Sequence, residues 1–260
     1  MSSCPANDTV RSRFRATLTH NYSVMSNPFR DILSLFYPPV CPACGEEMPE
    51  GSVTVCTRCR WDAPLTGFHS QADNPVVRKF WGIVPVENAC AFFFFIPGGG
   101  YRSLVHDIKY RGGWKQAEEL GEWFGSEMSK GGLYNGVDVI VPVPLHIRKL
   151  LRRGYNQSEY IARGMARKLA CRMDAGSVTR KKHNPSQALR PHEQRWENVM
   201  DIFEVRHPER LAGKHILLVD DVLTTGATIT SCAEAIVNAV PGCKLSIAAL
   251  SVSKSDIEIA

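Results

Sequence analysis

Apolar residues in this chain occur in two patterns, continuous runs and helical spacings. Four continuous runs predict buried strands of the kind found in a parallel sheet covered on both faces: 89–96, 137–143, 216–219 and 245–252. Apolar residues three and four positions apart predict the helices between them: 101–110, about 120–128, 157–170 and a last one that ends near 238. A short strand is also expected at 177–180. This alternation predicts an α/β domain with a mainly parallel sheet.

The N-terminal part has a different pattern. Residues 1–26 are basic and polar and lack the apolar run of a secretory signal, so they are predicted to be disordered or to reflect an upstream start site. Spacings of three and four among apolar residues predict a short helix over 27–37. The predicted division is therefore an extension at 1–26, a helix with a cysteine module at 27–65, and the α/β domain at 66–260. Trp61, Phe80 and Trp81 are expected to pack against that domain.

Four of the nine cysteines form two C-x-x-C pairs separated by eleven residues: Cys41, Cys44, Cys56 and Cys59. Each pair lets two thiolates face one ion, and two pairs complete a closed tetrahedral site, so the spacing predicts a structural Zn²⁺. Disulfides or a redox C-x-x-C are the alternative. The other five cysteines have no framework spacing and are expected to be reduced thiols, which predicts a cytoplasmic location.

The run Ile216–Thr228 combines a strand, two acids and a small hydroxyl-rich turn that opens a helix. The N-terminus of a helix offers unpaired N–H groups and a positive dipole end to a phosphate. Asp220 and Asp221 would lie about one sugar length away, where they can accept hydrogen bonds from sugar hydroxyls. The pattern therefore predicts a site for a phosphorylated sugar. An ordinary helix cap is the alternative, although a cap needs only one acid.

Two polar segments follow predicted strands on the same side of the sheet. The first follows the strand at 137–143 and is rich in Arg and Lys up to Arg153, and a solvated helix start is the alternative interpretation. The second, at about 180–198, carries Gln187, Arg195 and Asn198 and is long for a connection. Long connections are commonly lids, and an exposed hairpin is the alternative.

Composition and charge add little to this picture. The formal net charge of +5 and the pI of about 8.7 suit an anionic ligand without identifying one. A hydrophobic fraction of 44% is enough for one main domain with a small appendage. No apolar run approaches the roughly 18 to 20 residues of a membrane span.

The run at 216–228 resembles the 5-phosphoribosyl-1-pyrophosphate (PRPP) motif of type I phosphoribosyltransferases. The resemblance implies that Asp220 and Asp221 hold the ribose 2′- and 3′-hydroxyls. It also implies that a turn wraps the 5′-phosphate, with these members: Thr224, Thr225, Gly226, Ala227 and Thr228. The loop after the strand at 137–143 would receive pyrophosphate together with Mg²⁺, through Leu145, His146, Arg148 and Arg153. Asp220, Asp221 and Arg195 from the lid are the expected catalytic residues.

Further motifs narrow the resemblance to one family. Besides the cysteine pairs and the PRPP motif, they are I-K-Y-R-G at 108–112, P-V-P-L-H at 142–146, R-G-Y-N-Q at 153–157, Q-A-L at 187–189 and R-W-E-N-V at 195–199. In this order, over about residues 29–253, the chain resembles the ComF family, bacterial proteins associated with DNA uptake during natural competence. The resemblance implies the type I phosphoribosyltransferase fold with an N-terminal Cys4 zinc module.

Two functions follow as expectations. The first is a Mg²⁺-dependent PRPP-binding protein that transfers phosphoribosyl to an acceptor that the sequence does not identify. The second is a non-catalytic competence factor that keeps the pocket and handles single-stranded DNA through Arg148–Arg153 and Arg180–Lys182, with other competence proteins as partners. No aromatic stacking platform is evident beside these charges except Tyr155 and Trp196. A PRPP-sensing regulator would need a sequence-specific DNA surface, which is not visible. The oligomeric state is left open.

Overall fold

The computed structural model describes residues 40–48, 54–96, 99–110, 112–181 and 202–257, all of which belong to one unit, Val40–Ala260. The extension expected at 1–26 and the helix expected at 27–37 lie outside these residues, as does Arg195.

Five parallel strands form the main sheet, and four of them fall on the apolar runs that predicted strands. In chain order they are β1 (Ala89–Phe95), β2 (Val139–Pro142), β3 (Arg172–Met173), β6 (His215–Leu223) and β7 (Lys244–Ser253). Their order across the sheet is β1-β7-β6-β2-β3, and every neighbouring pair is parallel. Two further strands, β4 (Val178–Arg180) and β5 (Phe203–Val205), form a separate antiparallel pair. The predicted fold class, α/β with a mainly parallel sheet, is confirmed.

Seven α-helices are found among the described residues. They are α1 (Thr57–Trp61), α2 (Pro75–Arg78), α3 (Gly100–Tyr110), α4 (Trp114–Gly131), α5 (Ile147–Arg153), α6 (Gln157–Leu169) and α7 (Ala227–Ala239). Short 3₁₀ turns occur at Phe68–Ser70, Pro208–Arg210 and Lys254–Asp256. None of the helices in this part of the chain is long and apolar enough to cross a membrane.

The central strand β6 is longer than the apolar run predicted. Ile216–Val219 is fully buried, with β2 on one side and β7 on the other. Beyond Val219 the strand continues to Leu223, because β7 still supplies partners, among them Ala249 opposite Asp220. On the other side β2 ends at Pro142, opposite Val219. The two acids therefore lie inside a strand whose β2 side has become free, and this opens a cleft.

The cysteine module packs on the sheet domain. Cys41, Met48, Val55 and Cys56 belong to the same buried cluster as the sheet residues. Of the three aromatic residues expected to pack nearby, Phe80 is buried. The expectation was wrong for Trp61, which is 90% exposed, and for Trp81, which is also largely exposed. Trp61 is the last residue of α1, a helix with no buried residue, and Trp81 follows α2 in a turn.

Candidate functional site

The cleft at the end of β2 encloses about 240 Å³. It lies at the carboxyl ends of β2 and β6, the edge where ligands of parallel α/β sheets collect. Among the described residues that line it, four are cationic, namely Lys109, Lys149, Arg153 and Arg180, and two are acidic, Asp220 and Asp221. The remaining lining comes from Val143–Leu145, from Gln157 and Ser158, and from the turn at 222–229. The charge balance favours a polyanion that also carries hydroxyl groups.

The two acids are held by neighbours from three different elements. The Ser158 hydroxyl at the start of α6 donates to Asp220 Oδ1 over 3.0 Å, and the Asp221 N–H donates to the same oxygen over 2.9 Å. From α3, Lys109 Nζ lies 3.2 Å from Asp221 Oδ2. Burial raises the pKa of Asp220 to about 7, the charge of Asp221 acts in the same direction, and these hydrogen bonds and Lys109 oppose the rise. Near neutral pH the Asp220 carboxyl group can therefore be either charged or neutral.

The turn after β6 is built to leave backbone N–H groups open. Gly226, at φ 85°, occupies the N-cap position of α7 in a left-handed conformation that other residues rarely adopt. As a glycine it has no side chain to cap the helix. Thr225 Oγ1 accepts only a long 3.4 Å bond from the N–H of Ala227. Thr224, Thr225, Ala227 and Thr228 are exposed in the cleft, where a phosphate could accept from the hydroxyls and the N–H groups.

Two buried donors on the opposite wall have no acceptor. Arg153 Nη1 donates to Gln157 Oε1 over 2.8 Å, which fixes the orientation of the Gln157 amide. Gln157 is only 1% exposed, yet its Nε2 has no partner, and neither has Arg153 Nε. An unsatisfied buried polar group costs about 1–3 kcal/mol. Acceptor oxygens of a ligand in the cleft would remove this cost.

The structure brings together most, but not all, of the residues singled out from the sequence. Leu145 and Arg153 line the cleft with the acid pair and the turn, whereas His146 and Arg148 are not among its lining residues. His146 instead caps the N-terminus of α5, a helix within the segment expected to be a loop, where its Nδ1 accepts from the N–H of Arg148 over 3.2 Å. Arg195 lies outside the described residues.

Four polar residues of the cleft had not been assigned to it, namely Lys109, Gln157, Ser158 and Arg180, whereas Lys149 lies in the basic segment expected to receive pyrophosphate. Lys109 and Gln157 belong to motifs that were recognised, I-K-Y-R-G and R-G-Y-N-Q, so a signal was present. Arg180 comes from β4, and burial lowers its pKa while Asp220 opposes the shift. No local pattern marked Ser158 as a partner of an acid 62 positions away.

A second cavity of about 620 Å³ adjoins the cleft and shares Pro144, Leu145 and Arg180 with it. It lies between the β4–β5 pair and the segment from β2 to the start of α6. Asn156 Nδ2 donates to the carbonyl of Val143 over 3.1 Å, which leaves the buried Asn156 Oδ1 without a donor. Thr179 Oγ1 is also buried and unpartnered. The cavity therefore offers two unpartnered polar atoms within a wall that mixes apolar side chains with charged ones, among them Glu159, Lys181 and Arg206.

The four paired cysteines form a cluster that could hold a metal ion. The Sγ atoms of Cys41, Cys44, Cys56 and Cys59 all lie within 4.8 Å of one another, and those of Cys44 and Cys56 are 3.8 Å apart. A tetrahedral zinc ion about 2.3 Å from each thiolate separates sulfurs by about 3.8 Å, so the set fits zinc. Burial raises the pKa of Cys41, but backbone N–H donors from Cys56, Cys44 and Ala43 lower it to about 7. Four thiols outside the cluster, Cys90, Cys171, Cys232 and Cys243, are free.

Aromatic and basic side chains other than Tyr155 and Trp196, the two candidate platform residues of the sequence, contact one another on helices beside the cleft. Tyr110 is 52% exposed, with the guanidinium groups of Arg152 and Arg153 at 5.7 Å and 5.2 Å from its ring centre. The rings of Trp114 and Tyr160 are 5.6 Å apart, and Lys115 lies over Trp114. The sequence did not reveal these contacts because the side chains come from four helices. We call Tyr110, Trp114, Lys115, Arg152 and Arg153 the aromatic–basic band.

Comparisons with known proteins agree with this architecture. The phosphoribosyl transferase domain family matches residues 156–256, which include α6, β6 and α7. The parallel sheet and this match define a protein of the type I phosphoribosyltransferase fold, with a small cysteine module at its N-terminal side. The chain belongs to the ComF family, as the following relatives show.

The DNA utilization protein YhgH of Salmonella typhimurium LT2 is 31% identical over 205 residues, which are 78% of this chain and 86% of that protein. YhgH of Escherichia coli K12 is 32% identical over 134 residues, 50% of this chain, and the match spans only 58% of that relative's length. Competence protein F of Haemophilus influenzae is 32% identical over 93 residues, 35% of this chain and 41% of that protein. A solved glutamine PRPP amidotransferase from B. subtilis, at 15% identity over 55% of this chain and 30% of that one, has a TM-score of 0.40, too low to bear on the fold.

Proposed function

We propose that the cleft binds PRPP together with Mg²⁺. The observation that carries the proposal is the arrangement of three complementary features on one cleft: an acid pair, an open helix N-terminus and buried donors without acceptors. The turn from Thr224 to Thr228 would hold the 5′-phosphate, and Asp220 and Asp221 would accept from the ribose hydroxyls. Arg153, Gln157 and Lys149 would donate to the pyrophosphate.

Transfer of the phosphoribosyl group would displace pyrophosphate from the ribose C1 atom. The bond from C1 to the pyrophosphate oxygen breaks, the oxygen keeps the electron pair, and an acceptor forms the new bond to C1. Mg²⁺, when bound with PRPP, would help to neutralise the leaving group. The chain's own part is to position the sugar and to surround the departing charge with cations. The second cavity, which shares a wall with the cleft, would receive the acceptor.

We also propose that the cysteine cluster holds a structural Zn²⁺ and that the protein works in the reducing cytoplasm. Four cysteines complete a tetrahedral set and leave no position for a substrate, so the ion would stabilise the module without taking part in catalysis. Four free thiols elsewhere in the described residues fit a reducing compartment.

Replacement of Gln157 by glutamate tests the pyrophosphate side of the cleft. The change keeps the oxygen that Arg153 binds but turns the free Nε2 donor into a second oxygen. We expect affinity for inorganic pyrophosphate with Mg²⁺ to fall at least about tenfold, as for a lost hydrogen bond to a charged group. Ribose 5-phosphate, which would use the turn and the acid pair, should bind as before.

Calorimetry with both ligands provides the measurement, and Gln71→Glu, at an exposed position, serves as the control. Equal pyrophosphate affinity in Gln157→Glu and wild type would remove Gln157 from the site. An equal loss of affinity for pyrophosphate and for ribose 5-phosphate would indicate a structural effect of the substitution.

Single-stranded DNA binding is the second candidate function, and the aromatic–basic band favours it. Proteins that bind single strands combine aromatic rings, on which bases stack, with cations that contact the phosphates. The band offers both, and the relatives' names refer to DNA utilization and competence. The band lies beside the cleft, since Arg153 belongs to both. A competence factor could therefore bind DNA while keeping the PRPP pocket.

Removal of single rings tests this candidate. We expect Tyr110→Ala and Trp114→Ala each to weaken binding of a labelled oligothymidine by at least about fivefold, because stacking of a base on an aromatic ring contributes about 1–3 kcal/mol. Binding should also weaken steeply as salt rises. Fluorescence anisotropy at two salt concentrations measures both effects. Trp81→Ala is the matched control, since Trp81 is exposed and has Arg78 at 5.8 Å from its ring. An equal loss in this control, or binding insensitive to salt, contradicts the candidate.

A further inference from the structure

Lys109 forms an ion pair in the cleft, but the proposed binding of PRPP assigns no role to this lysine. Its Nζ lies 3.2 Å from Asp221 Oδ2, with side chains that are only 22% and 16% exposed. Lys109 is therefore the direct counter-charge of one member of the acid pair. Two adjacent carboxylates repel each other, and a cation at this distance attracts the nearer carboxylate and restricts its rotation.

Both ends of the helix that carries Lys109 are anchored. At its first residue, Gly100, a Cβ atom would overlap with the carbonyl oxygen of Ala43, which lies between Cys41 and Cys44. The Tyr101 hydroxyl donates to the carbonyl of Cys59 over 2.7 Å. At the other end, the hydroxyl of Tyr155 donates to the carbonyl of Ile108. Helix α3 thus spans the distance from both cysteine pairs to the cleft.

Other contacts hold the middle of α3 against the sheet. Leu104, Val105 and Ile108 are buried, and the Tyr101 ring lies 4.9 Å from that of Phe93 on β1. Gly100 and Lys109 lie on one continuous helix, so a rigid-body displacement of its first turn also displaces Lys109. A shift at Ala43 or Cys59 would therefore move Lys109 relative to Asp221, and not merely disturb the local turn.

We propose that Lys109 is a positioning residue for Asp221, and that the cysteine cluster sets its position through helix α3. With the cluster closed around a metal, Ala43 and Cys59 hold the start of α3, and Lys109 keeps Asp221 oriented for a ribose hydroxyl. Loss of the metal or oxidation of the thiols releases that end and loosens the ion pair. The expected effect on PRPP binding rests on the proposed function. The link between the cysteine cluster and Lys109 does not depend on it.

The link is tested without any ligand, by the rate at which an amine reagent acetylates each lysine. Mass spectrometry of the full chain compares Lys109 with Lys130, a surface lysine that serves as the internal reference. In the wild-type, metal-loaded protein we expect Lys109 to react at least about tenfold more slowly than Lys130, and Asp221→Asn to raise its rate. Chelation of the metal, Gly100→Ala and Tyr101→Phe should each raise the rate at Lys109 alone.

Gly136→Ala is the matched control, because a Cβ there meets only ordinary van der Waals contact, 3.7 Å from His215 Nδ1. Tyr101→Phe removes one hydroxyl and keeps the ring, so it keeps the test decisive if Gly100→Ala does not fold. An unchanged Lys109 rate in Tyr101→Phe and after chelation, while Asp221→Asn raises it, overturns the link. No rise in Asp221→Asn overturns the ion pair itself.

A second measurement tests the positioning role through PRPP affinity. Lys109→Met should weaken PRPP binding by about tenfold or more, and Lys109→Arg, which keeps the charge, should restore most of it. Lys130→Met, which removes an exposed ion pair with Glu127, is the control. Equal affinity in Lys109→Met and wild type overturns the positioning role. If the wild type itself binds no PRPP, the proposed function fails, and the labelling experiment still decides the link.

Discussion

Replacement of both Asp220 and Asp221 by asparagine is expected to abolish PRPP binding. An ionised carboxylate is a better acceptor for a ribose hydroxyl than an amide, and hydrogen bonds to charged groups contribute about 1.5–3 kcal/mol each. Loss of two such bonds lowers the affinity by at least about 100-fold. Calorimetric titration of PRPP with Mg²⁺ into wild type and double variant measures the difference.

Thermal stability distinguishes a specific loss of PRPP binding from misfolding of the variant. Because burial raises the pKa of Asp220 to about 7, its ionised form costs folding free energy at pH 8 that a neutral asparagine avoids. We therefore expect the Asp220→Asn single variant to melt at or above the wild-type temperature at that pH. Asp73→Asn, at an exposed acid paired with Arg78, should leave PRPP affinity unchanged. Wild-type affinity in the double variant would contradict the assignment of the acid pair.

Replacement of Cys56 by serine is expected to remove the metal and to unfold the cysteine module. Cys56 is buried, its Sγ lies 3.8 Å from that of Cys44, and it caps α1 by accepting from the N–H of Cys59. Metal binding by four cysteines supplies about 10–16 kcal/mol in small zinc domains, so loss of one ligand outweighs other contacts in the module. Metal analysis and limited proteolysis between residues 40 and 65 measure the two effects.

Cys243→Ser provides the matched control, since Cys243 is a free and partly buried thiol outside the cluster. This variant should keep its metal and its resistance to proteolysis. The prediction is contradicted if wild-type protein purified without metal resists proteolysis as well as metal-loaded protein does. A Cys56→Ser variant that retains a full equivalent of zinc would also contradict it.

The parts of the fold that the sequence revealed are those determined by local pattern. Ile216–Val219 forms a continuous apolar run because the strand is buried on both faces, and the same reason made β1, β2 and β7 visible. The extension of β6 to Leu223 was not predictable, since polar residues there remain in the strand only because β7 pairs with them. Strand β5, with three residues, carries too little periodicity to be recognised alone.

The candidate site also has one part that local sequence pattern revealed and another that depends on the tertiary fold. Its contiguous part, from Asp220 to Thr228, was identifiable because strand, acids and turn follow one another in the sequence. Lys109 and Arg180 reach the cleft from other elements, and only the tertiary fold brings them together. His146 and Arg148 were expected at the pyrophosphate on the basis of charge and position, but neither lines the cleft, and His146 instead caps helix α5. The aromatic–basic band was not predicted because its residues, like Lys109, are brought together from separate elements by the tertiary fold.

A crystal structure of the protein with PRPP and Mg²⁺ tests the central claim most directly. We predict the 5′-phosphate within about 3 Å of backbone N–H groups between Thr225 and Thr228. The ribose hydroxyls should lie on Asp220 and Asp221, and the pyrophosphate against Arg153 and Gln157 Nε2. Crystals that bind no PRPP at saturating concentration, or that hold it away from the acid pair, would contradict the claim and favour the DNA-binding function.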